Sequence, residues 1–193
     1  LHRRAARWMI RHGHDEQGIE HLIQAGDTEE AVRVIGTMGH RLFERGESTT
    51  LMRWLTALTA PGLDASVEAM LNLLAAQFGA DEAEAASETY RRILRRHDLT
   101  DGERIVANTL YSLQVFRGLA PESILDLVEE VRGGLTELGP DDIPNFFGIG
   151  DFEAVRAISE HSAGLAHFFL GDLERAAATL ERIRTSSRLA YPL

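Results

Sequence analysis

The sequence predicts an all-α chain of antiparallel helical hairpins, and three observations carry that prediction. Apolar residues recur at about 3.6-residue spacing along most of the 193 residues, and alternating strand-like runs do not occur. One local phrase is written twice, AGDTEEAV at 25–32 and LGDLERAA at 170–177. Glycines punctuate the chain at Gly13, Gly46, Gly79, Gly118 and Gly171, spaced by 33, 33, 39 and 53 residues. The last interval contains the 13-residue segment 139–151, whose removal leaves 40. A quasi-period of this length, each unit a helical hairpin, is the mark of a repeat array.

The repeated phrase has a physical meaning. A glycine after an apolar stretch accepts the left-handed conformation that closes a helix. Asp27 and Asp172 follow as N-caps. Glu30, three residues after Asp27, resembles a capping box, and Glu174 sits in a first turn where negative charge is favoured. Ala31 and Ala176 let a neighbouring helix approach.

Breakers divide the chain into helices at 2–12, 15–25, 28–45, 48–59, 65–78, 82–97, 102–117, 121–138, 152–170 and 173–187. The stripes are explicit. Ala83, Ala86, Tyr90, Ile93 and Leu94 serve the sixth helix, and Val106, Leu110 and Leu113 the seventh. Ile124, Leu127, Val128, Val131, Leu135 and Leu138 serve the eighth, and Leu173, Ala176, Ala177, Leu180 and Ile183 the tenth. Short turns join most neighbours, which makes them antiparallel hairpins. The segment LGPDDIPNFFGIGDF, with two prolines and three glycines, is an internal linker. It reads either as a loop docking Phe146, Phe147 and Ile149 on the helices or as a mobile lid.

The last hairpin resembles the tetratricopeptide pattern. Its slots for a glycine, a small residue and a large apolar residue fall on Gly164, Ala176 and Leu180. Its aromatic slot holds His167 and its usual Trp slot holds Glu160, which are departures. The resemblance implies one tetratricopeptide-like domain over 1–193, stacked as a right-handed superhelix. It also implies a concave, ligand- or partner-binding face from the first helix of each hairpin. Counting back from Gly171 gives Ile158, His161, Leu165, Phe168 and Phe169; from Gly118 it gives Ile105, Asn108, Ser112, Val115 and Phe116.

The opening is more specific. LHRRAARWMIRHGHDEQGIEHLIQAGDTEEAVRVI, followed by RGESTTLMRWLTAL, resembles a segment of large ATP-dependent transcription regulators of the LuxR family, the MalT-like group. The resemblance rests on His2, Arg3, Arg4, Ala5, Ala6, Trp8, His12, Gly13, Ile19, His21, Ala25, Gly26, Asp27, Ala31, Leu51, Arg53, Trp54 and Leu55. Gly18 departs from the family's alanine and should weaken the second helix by about 1 kcal/mol. What this implies is a non-catalytic sensor domain. It would bind a small-molecule inducer or regulatory protein and pass the event to neighbouring ATPase and helix-turn-helix modules. The chain starts at Leu1 and ends at Leu193 without a closing motif, which reads as a fragment of a longer protein. A stand-alone tetratricopeptide-like adaptor binding a peptide or protein is the alternative.

Composition narrows the chemistry. There is no cysteine, so thiolate metal sites and cysteine nucleophiles are excluded. No phosphate-loop motif and no basic recognition helix is present, so neither ATP nor DNA binding is expected of this piece. The net charge of −10 also argues against nucleic acid. No run is apolar enough for a membrane span and no secretory signal is visible, which makes a cytoplasmic location the expectation. The eight histidines show no metal-ligand spacing, and no cofactor is expected. All 20 basic residues are arginine; Arg91, Arg92, Arg95 and Arg96 read as a solvated face paired with Glu84 and Glu88. Trp8 and Trp54 read as core anchors.

Overall fold

The computed structural model describes residues 1–60, 62–144, 146 and 152–185. Within them lie ten α-helices: α1 His2–Arg11, α2 Asp15–Gln24, α3 Thr28–Glu44, α4 Ser48–Leu58, α5 Val67–Gly79, α6 Ala83–Leu94, α7 Asp101–Ser112, α8 Pro121–Glu137, α9 Phe152–Phe169 and α10 Leu173–Thr185. Two 3-10 turns, Leu113–Arg117 and Pro140–Asp142, complete the order, and no strand is found among the described residues.

Where the sequence reading has one domain, the chain divides into two compact units. The first holds Leu1–Ala85 with Asn145–Ile149, the second Ala86–Pro144 with Gly150–Leu193. In the first, α1 packs on α2, α2 on α3, α3 on α4 and α4 on α5, with further contacts of α2 to α4 and α3 to α5. Its core is apolar: Ile19, Leu22, Ile35, Leu51, Leu55, Leu71 and Leu74 are all at most 1% exposed. Gly18 belongs to this packing. A Cβ there would stand 2.5 Å from Ile10 Cγ1, so the missing methyl lets α1 approach α2 and gives Gly18 a packing role beside its intrinsic helix cost. In the second unit α7 packs on α8, α8 on α9 and α9 on α10, and α7 also meets α9.

The two copies of the repeated phrase turn out to be two of five like closures. After α1, α2, α3, α5 and α9, a left-handed residue donates its N–H to a carbonyl three residues back, and the next residue donates five back. These are Schellman turns. Gly26 N reaches Ile23 O (3.0 Å) and Asp27 N reaches Leu22 O (3.0 Å); Gly171 and Asp172 repeat this on Phe168 O and His167 O (both 3.0 Å). After α5 the left-handed residue is Asp81 (φ 64), not the expected Gly79. Gly79 ends α5 in close contact instead, since a Cβ on it would lie 2.4 Å from Phe43 Cε2 and 2.7 Å from Ser48 Oγ.

The two aspartates diverge. Asp172 Oδ1 accepts from Arg175 N at 3.1 Å and caps α10. Asp27 occupies the N-cap position of α3 without a side-chain cap; its carboxylate pairs with Arg3 at 3.0 Å. Glu30 is held by Arg33 (2.5 and 2.9 Å), whose hydrogen bonds lower its pKa, so the expected capping box is absent there. A full capping box opens α7, where Thr100 Oγ1 accepts from Glu103 N (3.2 Å) and Glu103 Oε2 accepts from Thr100 N (2.9 Å).

Trp54 is buried at 3% exposed, as expected of a core anchor, but Trp8 is 51% exposed. The linker's first half is pinned. Gly102 lies so close to the Asp142 carbonyl that a Cβ would be 1.8 Å from its oxygen, and Asp142 Oδ2 accepts from Gly139 N at 2.8 Å. Ile143 and Phe146 are 6% and 2% exposed, which favours the docked reading; Phe147 and Ile149 lie outside the described residues.

Candidate functional site: a covered helix face and an open one

The candidate residues fall on α7, on the 3-10 turn Leu113–Arg117 that continues it, and on α9 of the second unit. On α7 they are covered. Ile105 is 5% exposed and fits against α8 where Gly134 leaves room, a Cβ there being 2.3 Å from Ile105 Cδ1. Asn108, 3% exposed, is fully engaged: its Oδ1 accepts from the Tyr90 hydroxyl (2.8 Å) and its Nδ2 donates to Glu130 Oε2 (2.9 Å). The Tyr90 ring stacks on Tyr111 at 4.0 Å, nearly parallel. Burial, then the Glu130 charge, pushes the Tyr90 phenol up to about 12, so it acts as a neutral donor. Ser112 is 0% exposed, donates to the Thr109 carbonyl (2.7 Å) and lies 2.9 Å from Ser162 Oγ on α9. One turn away, Thr109 Oγ1 meets Ser159 Oγ at 3.1 Å. Val115 is 7% exposed, in a cluster with Ile124, Val128, Ala163 and Ala166. Phe116 falls in the 3-10 turn, and its side chain lies outside the described residues.

On α9 the same pattern opens only at the end of the helix, and Leu165 packs against the Val115 cluster. Residues 158, 161, 165, 168 and 169 share one helical face. Ile158, His161 and Leu165 are half-buried, and Phe168 and Phe169 are 54% and 50% exposed, meeting edge to face at 5.6 Å. Burial lowers the pKa of His161, which makes it a neutral imidazole at neutral pH. The other side of α9 carries Ser159, Ser162, Ala163 and Ala166, all at most 1% exposed. Leu170 (44%) and Leu173 (62%) extend the apolar exposure into α10. The expected continuous wall of α7 and α9 is therefore not formed as one open surface: α7 contributes interior, α9 contributes surface.

Glu160 fixes α9 to its neighbours. Its carboxylate takes Arg132 of α8 at two points (2.7 and 2.8 Å) and approaches Arg182 of α10 at 3.6 Å. Burial works to raise its pKa; the Arg132 hydrogen bonds and the surrounding arginine charges overcome this and hold it low. Sequence reasoning missed the partners Tyr90, Glu130, Ser159 and Ser162. The signal for the serines was their spacing with Ala163 and Ala166, a small-residue stripe down one side of α9.

Elsewhere in the arginine run, Arg91 pairs with Glu88 as expected, and Arg96 pairs with Asp98, which was not expected, and holds its carboxyl down at about 2. Among the described residues no three His, Asp or Glu side chains are grouped to hold a metal, and no helix is long and apolar enough to cross a membrane. No family model matches the chain, and neither does any curated protein or solved structure.

Proposed function

We propose that this chain is a non-catalytic sensor and protein-interaction domain of a LuxR-type, MalT-like transcription regulator, working in the cytoplasm. Its hairpins stack as a tetratricopeptide-like right-handed superhelix. It binds a small-molecule inducer or a regulatory protein and passes the event to neighbouring ATPase and helix-turn-helix modules. It makes no direct contact with nucleic acid or membrane. The observation that carries this reading is the open face of α9. An apolar stripe with one neutral imidazole is the makeup of a small-molecule or peptide site. Within each unit consecutive helices pack on one another, α1 to α5 in the first and α7 to α10 in the second, which supports stacked hairpins. For signalling, the ligand must bind one arrangement of the parent protein more tightly than the other.

A thermal-shift screen against metabolites and peptides tests the reading. A binder should raise the melting temperature of the wild type and leave that of Phe168→Ser/His161→Ala unmoved, with both proteins melting alike in its absence. A binder that stabilises both proteins equally refutes the α9 site. A stand-alone tetratricopeptide-like adaptor is the second reading, favoured by the exposed Phe168–Leu173 patch, which suits a peptide. Finding no phosphate loop upstream in the parent chain would decide for it.

A further inference from the structure

The first helix carries basic residues and no acid. Residues 1–14 contain Arg3, Arg4, Arg7 and Arg11 and no acid; with a whole-chain charge of −10, removing these four leaves −14 on the remainder. Arg3 is spent on Asp27. Arg4, Arg7 and Arg11 are exposed and form no ion pair among the described residues, whereas Arg33, Arg41, Arg45 and Arg53 of the same unit each reach a carboxylate. Arg7's charge does reach Glu30, but Glu30 is already bound by Arg33. Positions 4, 7, 8 and 11 lie on one helical face, so the three cations surround Trp8. The opposite side of α1, with Ala6 buried and Ile10 against Gly18, is the side packed on α2.

Trp8 is held in place. Its ring stacks on His12 (4.3 Å, 25°), and His12 Nδ1 donates to the Trp8 carbonyl at 2.7 Å. His14 stands beyond at 6.3 Å. Arg11 Nε donates to the Arg7 carbonyl at 3.1 Å, which fixes its stem along the helix. A large aromatic kept half in water, ringed by unpaired guanidinium groups, matches the Trp and Arg composition of interface hot spots. Guanidinium groups also take carboxylates at two points.

We propose that the α1 face of Arg4, Arg7, Trp8 and Arg11 docks an acidic peptide segment, with Trp8 packing its apolar residue and the arginines pairing its carboxylates. An acidic segment is favoured over a nucleic acid because one face of the indole is taken by His12 and the rest of the chain repels a long polyanion. This surface is independent of the α9 site.

The test uses the whole chain and three labelled probes: a glutamate-rich peptide with a central leucine, its glutamine counterpart, and an oligothymidylate of equal charge. Binding is read from anisotropy and from tryptophan emission, which reports Trp8 because Trp54 is buried. The glutamate peptide should bind at least about 10-fold tighter than the glutamine one and weaken steeply as salt rises from about 0.05 to about 0.3 M. The triple variant Arg4→Gln, Arg7→Gln, Arg11→Gln should lose about 10-fold or more, and so should Trp8→Ala, with helical circular dichroism unchanged. No binding, equal binding of the two peptides, or undiminished binding by the triple variant overturns the proposal. Tighter binding of the oligothymidylate than of the glutamate peptide overturns it in favour of a nucleic-acid surface.

Discussion

Helices α7 and α9 carry the same register but meet different fates. Adding the 53 residues between Gly118 and Gly171 maps Asn108 onto His161 and Val115 onto Phe168. Asn108 is 3% exposed with both amide ends bonded; His161 is half-buried with no hydrogen bond shown. Val115 is 7% exposed against Ala163 and Ala166; Phe168 is 54% exposed. The difference lies in the neighbours. Tyr90 and Glu130 close over Asn108, and the small-residue side of α9 closes over Val115. Position within a hairpin sets which way a side chain points; what stands opposite sets whether it is core or surface.

The largest effect should separate Val115 from Phe168. Val115→Asp places a charge in a dry cluster and should cost about 3 kcal/mol or more in urea unfolding. Phe168→Asp should stay within about 0.5 kcal/mol, as exposed substitutions do. Similar losses for the two would erase the distinction.

Next comes the pair Asn108 and His161. Asn108→Ala leaves the half-buried Tyr90 hydroxyl without its acceptor, a cost of about 2 kcal/mol, while the exposed Glu130 carboxylate turns to water. His161→Ala should cost less than about 1 kcal/mol, since it breaks no hydrogen bond that the structure shows. Denaturant midpoints at constant slope give both numbers.

The legible and illegible parts divide along this same line. All ten helices could be read because each is written in local terms: an apolar stripe, then a breaker. Their ends slipped where a last turn tightened. The seventh helix was read to 117, yet it gives way at Leu113 to a 3-10 turn. The sixth was read to 97 and stops at Leu94, with Arg96 N bonding back to Ile93 O. Gly79 was read as a turn because glycine suits both a left-handed closure and a close contact, and spacing alone does not tell these apart. Asp27 looked like a cap until Arg3, from another helix, claimed it. Trp8 looked like core because an apolar aromatic is usually buried; its surroundings of Arg4, Arg7 and Arg11 were the contrary signal. The α7 face failed as a surface for the reason given above: its covering residues come from three other helices.

The smallest effect is in pH. Burial depresses the folded pKa of His161, so below its unfolded value near 6.5 the unfolded chain binds more protons. Its contribution is complete above that value and shrinks as pH falls toward the folded pKa. Urea midpoints at about pH 7.5 and about pH 5.5 should differ more in the wild type than in His161→Phe. An equal difference in both would place the imidazole in water.

The central claim is that the α9 face is open where its α7 counterpart is core. The chain has no cysteine, so single thiols at Val115→Cys and Phe168→Cys can be introduced and their maleimide labelling rates compared under native conditions. The thiol at 168 should label near the rate of the unfolded chain, and the thiol at 115 should be protected by at least about 100-fold, reacting only through opening. Comparable rates at the two positions, whether both fast or both protected, would contradict the account.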